Sequence, residues 1–174
     1  MGISRIVNEI VHTFSEEFCD EIIGLLDNKD KVIIHYEKSE IHNELDLPIQ
    51  KNQPTDADGW DFNRNKDIID KIINVITNYI GDIDEHPFVV QRLDKTKKSK
   101  PHYDYMDYTA VLLLNNNFKG GELIIQDVEA GLKKGNLILF RSNRIHYVSK
   151  VTEGERYTLV GFIGLKKKIK KTFL

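Results

Sequence analysis

Cysteine is nearly absent: Cys19 is the only one among 174 residues, so no internal disulfide can form. A reducing cytoplasm is therefore the simplest expected setting. Long apolar runs are missing as well. None approaches the roughly 20 residues that a membrane span requires, and the polar N-terminus lacks a signal-peptide pattern, so no membrane association is expected. No internal repeat is present, and no strong net charge. The 25 basic and 27 acidic side chains leave −2, and 40% apolar content is ordinary for a soluble globular protein. The length fits one domain spanning 1–174, large enough to bury a sizeable core.

The near-neutral balance hides an asymmetry. Residues 1–90 carry 8 basic and 19 acidic side chains, net −11, whereas 91–174 carry 17 and 8, net +9. The run KKKIKK at 166–171 extends the basic half. Such a distribution can mark a polyanion-binding face, or an acidic helical layer covering one side of a basic sheet structure. Without an aromatic-interleaved basic patch, nucleic acid is the weaker choice of partner. The abundance of Lys, Ile and Asn hints at an AT-rich coding genome, viral or bacterial in source.

Against this plain background stands the triplet His102-Tyr103-Asp104, answered 42 residues after Asp104 by His146. Residues two apart on a β-strand point to the same face, so His102 and Asp104 can converge on one ion. Two imidazoles and one carboxylate, with the remaining positions open, form the facial triad that holds non-haem Fe(II). Arg156 and Thr158 are also two apart in a strand-like segment, ERYTLVGFIG, and can face the same pocket. A guanidinium there offers a planar fork for a carboxylate. Taken singly, each residue has a bland reading as a strand histidine or a surface charge; order, spacing and flanking strands together favour the site. His12, His35, His42 and His86 lack ligand-like spacing.

The periodicity predicts helices first and strands later. Ser15 is a plausible N-cap, with Phe14, Phe18, Ile22, Leu25 and Leu26 as an apolar stripe running to Asn28 and Cys19 packing beside it. KVIIHYE at 31–37 reads as a strand. Residues 38–64, with Pro48, Pro54 and Gly59, lose periodicity and read as a long loop. A second helix is expected over Lys66–Ile80, with Ile68, Ile69, Ile72, Ile73, Ile76 and Ile80 buried and Gly81 ending it. Strands are expected at 87–94, 103–115, 121–127, 136–141, 145–151 and 155–165. This is an α+β pattern suited to a double-stranded β-helix, a jelly-roll barrel supported by N-terminal helices.

The stretch 101–164 resembles the catalytic core of the 2-oxoglutarate/Fe(II)-dependent oxygenases, in the prolyl 4-hydroxylase-like branch. The resemblance rests on PHYD at 101–104, LLLN at 112–115, GGEL at 120–123, KKGNLILF at 133–140, His146 and Arg156, in that order. It implies that His102, Asp104 and His146 ligate iron and that Arg156 binds the distal carboxylate of 2-oxoglutarate. Thr109 matches a threonine of the co-substrate pocket, and Thr158 adds a hydroxyl beside Arg156. The chain departs from the pattern where many members place a tyrosine: those positions hold Arg92 or Leu93, and Leu113. Leu123 also replaces a common threonine.

The resemblance further implies a dioxygenase that uses O2, hydroxylates an unactivated C–H bond and releases succinate and CO2, with ascorbate as a candidate reductant. Retention of Asp104 favours hydroxylation over halogenation, and the absence of an arginine after Arg156 disfavours the alkylation-repair branch. The expected substrate is a prolyl or other residue of a protein or peptide. Alternatives are a free amino acid, small metabolite or nucleic acid, and a non-catalytic jelly-roll binding module. The lone cysteine argues against a secretory-pathway collagen hydroxylase. The expected division is helical and loop support over 1–85, a catalytic core over about 86–165 and a basic tail over 166–174; the sequence leaves the oligomeric state open. Loops should choose the substrate. Trp60 in the 38–64 loop, DKTKKSK at 94–100 as a mobile basic rim, and Tyr103, Tyr105 and Tyr108 at the entrance are the candidates.

Overall fold

The computed structural model describes residues 9–26 and 56–167. The strand expected at 31–37, most of the 38–64 loop, His35, His42 and the tail beyond 167 lie outside the described residues. In chain order the elements are β1 (Glu9–Thr13), α1 (Glu16–Gly24), β2 (Asp58–Asp61), α2 (Lys66–Ile80), β3 (Ile83–Glu85), β4 (Phe88–Leu93), β5 (Tyr108–Leu113), β6 (Phe118–Gly120), β7 (Leu123–Ile125), β8 (Val128–Glu129), β9 (Asn136–Arg141), β10 (His146–Val148), β11 (Val151–Gly154) and β12 (Arg156–Leu165). No helix among the described residues is long and apolar enough to cross a membrane.

The strands pair antiparallel in three sheets. The major sheet runs β1-β9-β5-β12-β4-β2, with β3 pairing on β12; the minor sheets are β10-β7-β8 and β11-β6. The fold is thus a mixed α/β one with N-terminal helices and a multi-stranded antiparallel sheet, and no sheet closes on itself as the barrel expectation would have it. The major sheet keeps β1 and β2 as its ends, because the chain leaves it for the separately paired minor sheets.

Period-two alternation sorts the major sheet into two faces. On one, Trp60, Val90, Leu159, Leu112 and Leu137 follow each other across the register and join a core with Phe18, Ile22, Ile72 and Ile76 of the helices. On the other, Val89, Val111, Val160, Ile138 and Phe140 pack on Leu123 and Ile125 of β7. α2 forms where its periodicity predicts, with Ile73 and Ile80 only partly buried, whereas α1 ends at Gly24, before the Leu25 and Leu26 that the expected stripe included. The Ser15 hydroxyl accepts from the Phe18 N–H at 3.2 Å, and Cys19 is fully buried in the packing. Lys66–Ile80 forms as expected, ending at Gly81 with φ +88°. Burial of Ile68, Ile69, Ile72 and Ile76 contributes roughly 1.5–3 kcal/mol each.

Three expectations change. The 38–64 loop contains strand β2, whose Trp60 pairs in register with Val90 at the sheet edge. Its Asp and Gly residues hid a strand that needs only one large inward side chain. The 103–115 strand starts only at Tyr108, because residues 103–107 carry the chain from one sheet to another. The 145–151 strand splits into β10 and β11, which pair with different partners. β1 was not foreseen at all: its burial pattern has one buried residue, Val11, so no apolar alternation marks it.

Gly161 on β12 lies directly across from Phe88, and an added Cβ would sit 2.4 Å from that ring. Gly161→Ala should therefore cost about 1–3 kcal/mol through overpacking. Thermal unfolding checks this: the melting temperature should drop, and Phe88→Leu added to the same chain should restore part of the loss. An unchanged melting temperature would show that the ring moves freely, contrary to its 2% exposure.

Candidate metal centre and its pocket

The site is assembled where the chain passes between sheets. His102 and His146 form an antiparallel bridge, with His102 N–H donating to the His146 carbonyl at 3.0 Å and the reverse bond at 2.8 Å. Two residues on, the Asp104 N–H turns away to the carbonyl of Ser142 beyond β9 at 2.9 Å. The convergence of His102 and Asp104 is therefore not that of one continuous strand, as the spacing suggested. Two separate anchors, one on each side of the site, aim the side chains at a common point. Ligand atoms of His102, Asp104 and His146 all lie within 4.8 Å of one another, and all three side chains are buried.

Their partners prepare them for a cation. His102 Nδ1 lies 2.6 Å from the Lys100 carbonyl, and His146 Nδ1 lies 2.8 Å from the Arg144 carbonyl. A carbonyl can only accept, so each Nδ1 carries the proton and each Nε2 keeps its lone pair. Those Nε2 atoms face Asp104: His146 Nε2 is 3.3 Å from Oδ2 and His102 Nε2 is 3.8 Å from Oδ1. Oδ1 has no hydrogen-bond partner despite its burial. A divalent cation among these atoms would satisfy that orphaned oxygen and both lone pairs, so the donor set fits a 2-His-1-carboxylate metal. Phe140 meets the His146 ring edge-on, centroids 4.8 Å apart, and limits its rotation.

Electrostatics agree with this reading. Burial resists ionisation of Asp104, but the His146 and His102 rings and the Thr109 hydroxyl outweigh it and hold the carboxyl below its usual range. Burial, with help from His146, lowers His102 and so favours its neutral, ligating form. Burial pulls His146 down too, yet contact with Asp104 leaves it above its ordinary value when no cation is present.

One cavity joins the triad to Arg156, Thr158, Thr109, Gln91, Val111, Leu123, Val160 and Phe162. Arg156 and Thr158 share it because they occupy alternate positions of β12, as expected. Arg156 is 3% exposed, and burial pulls its pKa down to about 10 against the opposing pull of Glu122. No carboxylate pairs with it among the described residues. Its contact with Thr158 Oγ1 is long, 3.5 Å, and its Nε has no partner. Such a guanidinium is a costly group to bury alone. Gly121 leaves room for it: at φ +69°, a Cβ there would come 2.9 Å from Arg156 Cδ.

The hydroxyl of Thr109 faces the cavity but donates to Asp104 Oδ2 at 2.6 Å and lies 2.9 Å from Ser142 Oγ. It orients a ligand carboxylate more directly than it meets a co-substrate. Ser142 escaped the sequence reading; only its place between a strand ending in Phe-Arg and the second histidine could have signalled it. Asn115, the asparagine of LLLN, was a motif without a role. Its Nδ2 donates to the Glu155 carbonyl at 2.7 Å and its Oδ1 accepts from the Tyr157 N–H at 2.8 Å. It thereby clamps the backbone on both sides of Arg156.

The substrate candidates fare differently. Trp60 is 6% exposed and packs in the helix-side core near Tyr157, on the sheet face opposite the cavity, so it cannot meet a substrate there. Tyr108 is buried on that same face. Tyr103 is buried and Tyr105 half-buried, and neither lines the cavity. The 94–100 segment is held in place: Asp94 accepts from Thr96, and Ser99 Oγ accepts from the Val148 N–H at 3.0 Å.

Known proteins resemble the chain in sequence and in fold. Residues 88–164 match the model of the 2OG-Fe(II) oxygenase superfamily. A PKHD-type hydroxylase of Prochlorococcus marinus is 36% identical over 62 residues, 33% of this chain and 28% of that protein. One from Nitrosomonas europaea is 32% identical over 101 residues, 54% of this chain and 44% of that protein. The chain thus spans less than half the length of these relatives. In fold it is similar to a Pseudomonas putida prolyl-4-hydroxylase (TM-score 0.61, 13% identity, 88% of this chain and 89% of that one). It is similar also to the viral collagen prolyl hydroxylase of Paramecium Bursaria Chlorella virus-1 (TM-score 0.62, 16% identity, 88% and 92%). Ordered motifs, triad geometry and fold agree: over residues 88–164 the chain matches the 2OG-Fe(II) oxygenase superfamily, and the proteins it is similar to include PKHD-type and prolyl hydroxylases.

Proposed function

We propose that this chain is a 2-oxoglutarate- and Fe(II)-dependent dioxygenase that hydroxylates a prolyl or other residue of a protein or peptide, releasing succinate and CO2. The observation that carries the reading is the pairing, in one cavity, of a buried triad of ligand atoms with a buried and unpaired guanidinium. A cation-binding end and an anion-binding end suit a co-substrate that chelates metal through one carboxylate and presents another. The prolyl hydroxylases among the similar structures support the choice of substrate.

In this reading His102 and His146 would hold the metal through Nε2 and Asp104 through its carboxylate. Iron(II) there would supply the O2-dependent oxidising chemistry, with ascorbate as a reductant that keeps it ferrous. The protein does the rest by position. Thr109 and Ser142 fix the carboxylate, the Lys100 and Arg144 carbonyls fix the imidazole tautomers, and Arg156 with Thr158 receives the distal carboxylate. Val111, Leu123, Val160 and Phe162 line the space between and exclude water. Residues 86–165 would form the catalytic core, a jelly-roll in which major and minor sheets face each other, with 1–85 as support within one domain and 166–174 as a basic tail.

Anaerobic addition of Fe(II) and then 2-oxoglutarate should produce the visible metal-to-ligand charge-transfer band of the chelate. His146→Ala should abolish it; an intact band in that variant would sink the assignment of the triad. Arg156→Ala should weaken 2-oxoglutarate binding by about 30-fold or more, because it removes the buried cation that lines the cavity. Arg156→Lys should fall between, keeping charge but losing the fork.

Thr109→Val keeps shape and removes the hydroxyl that donates to Asp104. Metal affinity should fall about 10–100-fold, as for other outer-sphere partners. Titration with Mn(II) would measure it, and unchanged affinity would assign Thr109 to the co-substrate instead.

A further inference from the structure

The cavity opens beside a second, larger groove. Leu93, Lys95, Lys97, Lys98, Ser99, Lys100, Pro101 and the stretch 147–151 line it, and it shares Ser99, Tyr147 and Val148 with the metal cavity. Five of its walls are lysines and none is a carboxylate. Lys97 is committed to Asp56 and Asp58, at 3.7 and 3.9 Å. Lys95, Lys98, Lys100 and Lys150 are exposed and form no ion pair among the described residues. Surface lysines are usually interleaved with acids, and this chain carries enough acids to do so. Here the sequence segregates them: the net positive half of the chain meets the site's entrance.

We propose that this groove is the docking surface for the substrate and that it selects an extended, acidic polypeptide segment. The proposal rests on the oxygenase reading for the identity of the site that the groove feeds. Its floor is apolar, from Leu93, Pro101, Val148 and Val151, which accommodates aliphatic side chains between the acidic ones. Nucleic acid fits less well. Single strands are held by several aromatic stacking faces, and Tyr147 is the only aromatic in the lining. Arginine forks, favoured for phosphate, are also missing from it. The groove is fixed rather than loose, since Ser99 Oγ ties the lysine segment to β10 and the Asp56 N–H donates to the Lys98 carbonyl at 2.7 Å. A segment lying in it would place one residue at the shared wall of Ser99, Tyr147 and Val148, facing the triad.

The test uses the full chain and three fluorescein-labelled probes: a short peptide with a central proline flanked by glutamates, its glutamine counterpart, and single-stranded oligothymidylate. The glutamate peptide should bind at least about tenfold more tightly than the glutamine peptide, with the preference shrinking as salt screens it. Combined Lys95→Glu, Lys98→Glu and Lys150→Glu should remove the preference while circular dichroism stays unchanged. Should the combined variant not fold, Lys98→Glu alone should lose about threefold. Equal affinity for the two peptides, a preference that survives charge reversal, or tighter binding of oligothymidylate would each overturn the proposal. The charge-transfer band is read in parallel on the wild type. Its absence would refute the oxygenase reading while leaving the charge preference of the groove to stand or fall on the peptides.

Discussion

Because His102 and His146 exchange both backbone hydrogen bonds, at 3.0 and 2.8 Å, two segments 44 positions apart in sequence become a cross-strand pair. Everything at the site depends on that exchange. It brings the imidazole centroids to 4.4 Å and orders both flanking carbonyls, Lys100 and Arg144, as acceptors for Nδ1. It also sets His102 against β10, from which the chain passes within two residues to the Ser142 carbonyl just after β9. Asp104 is the crossing residue: its N–H belongs to the Ser142 carbonyl, and its side chain is left between the rings.

The major sheet supplies the opposite wall with a different logic. Alternation along β12 sends Arg156, Thr158, Val160 and Phe162 to the cavity and Tyr157, Leu159 and Ile163 to the helical core. One strand therefore anchors the helices and furnishes the cationic end of the cavity at once. A slip of one residue in its register would bury the wrong set. Asn115 holds the register where it matters, bonding to the backbone on both sides of Arg156. Gly121 completes the arrangement by leaving the guanidinium stem its space.

How legible was this in sequence? The helix over Lys66–Ile80 was readable to the residue, since six isoleucines at helical spacing and a terminal glycine leave little choice. That His102, Asp104 and His146 converge and that Arg156 faces the same cavity was readable because chemistry restricts which residues can make such a constellation. What escaped was held by backbone bonds or by single side chains. β1 and β2 bury too few residues to show alternation, and Ser142 and Asn115 act through one or two hydrogen bonds that no periodicity reveals. Trp60 misled for a related reason: aromatic residues in a polar stretch suggest a binding loop, yet the sheet edge needed a large side chain over the helices.

The burial of Arg156 separates a metal-staple reading from a ligand-binding one. A structural ion would need the triad alone and would gain nothing from a guanidinium in the same cavity. Placing that group at 3% exposure, with an orphaned Nε and only a long contact to Thr158, costs several kcal/mol unless an anion joins it. Glu122 exerts its pull from a distance, and its own carboxyl is raised by burial and by Glu129, which weakens it as an alternative partner. The unmet demands at the two ends of the cavity have opposite signs, and a single dicarboxylate chelator satisfies both. The lysines outside repeat the theme at lower energetic stakes, because exposed cations attract without having to be buried. Charge thus rises in consequence from the rim inward: exposed and screened at the groove lysines, buried without a carboxylate partner at Arg156, and left on an orphaned carboxylate oxygen at the triad.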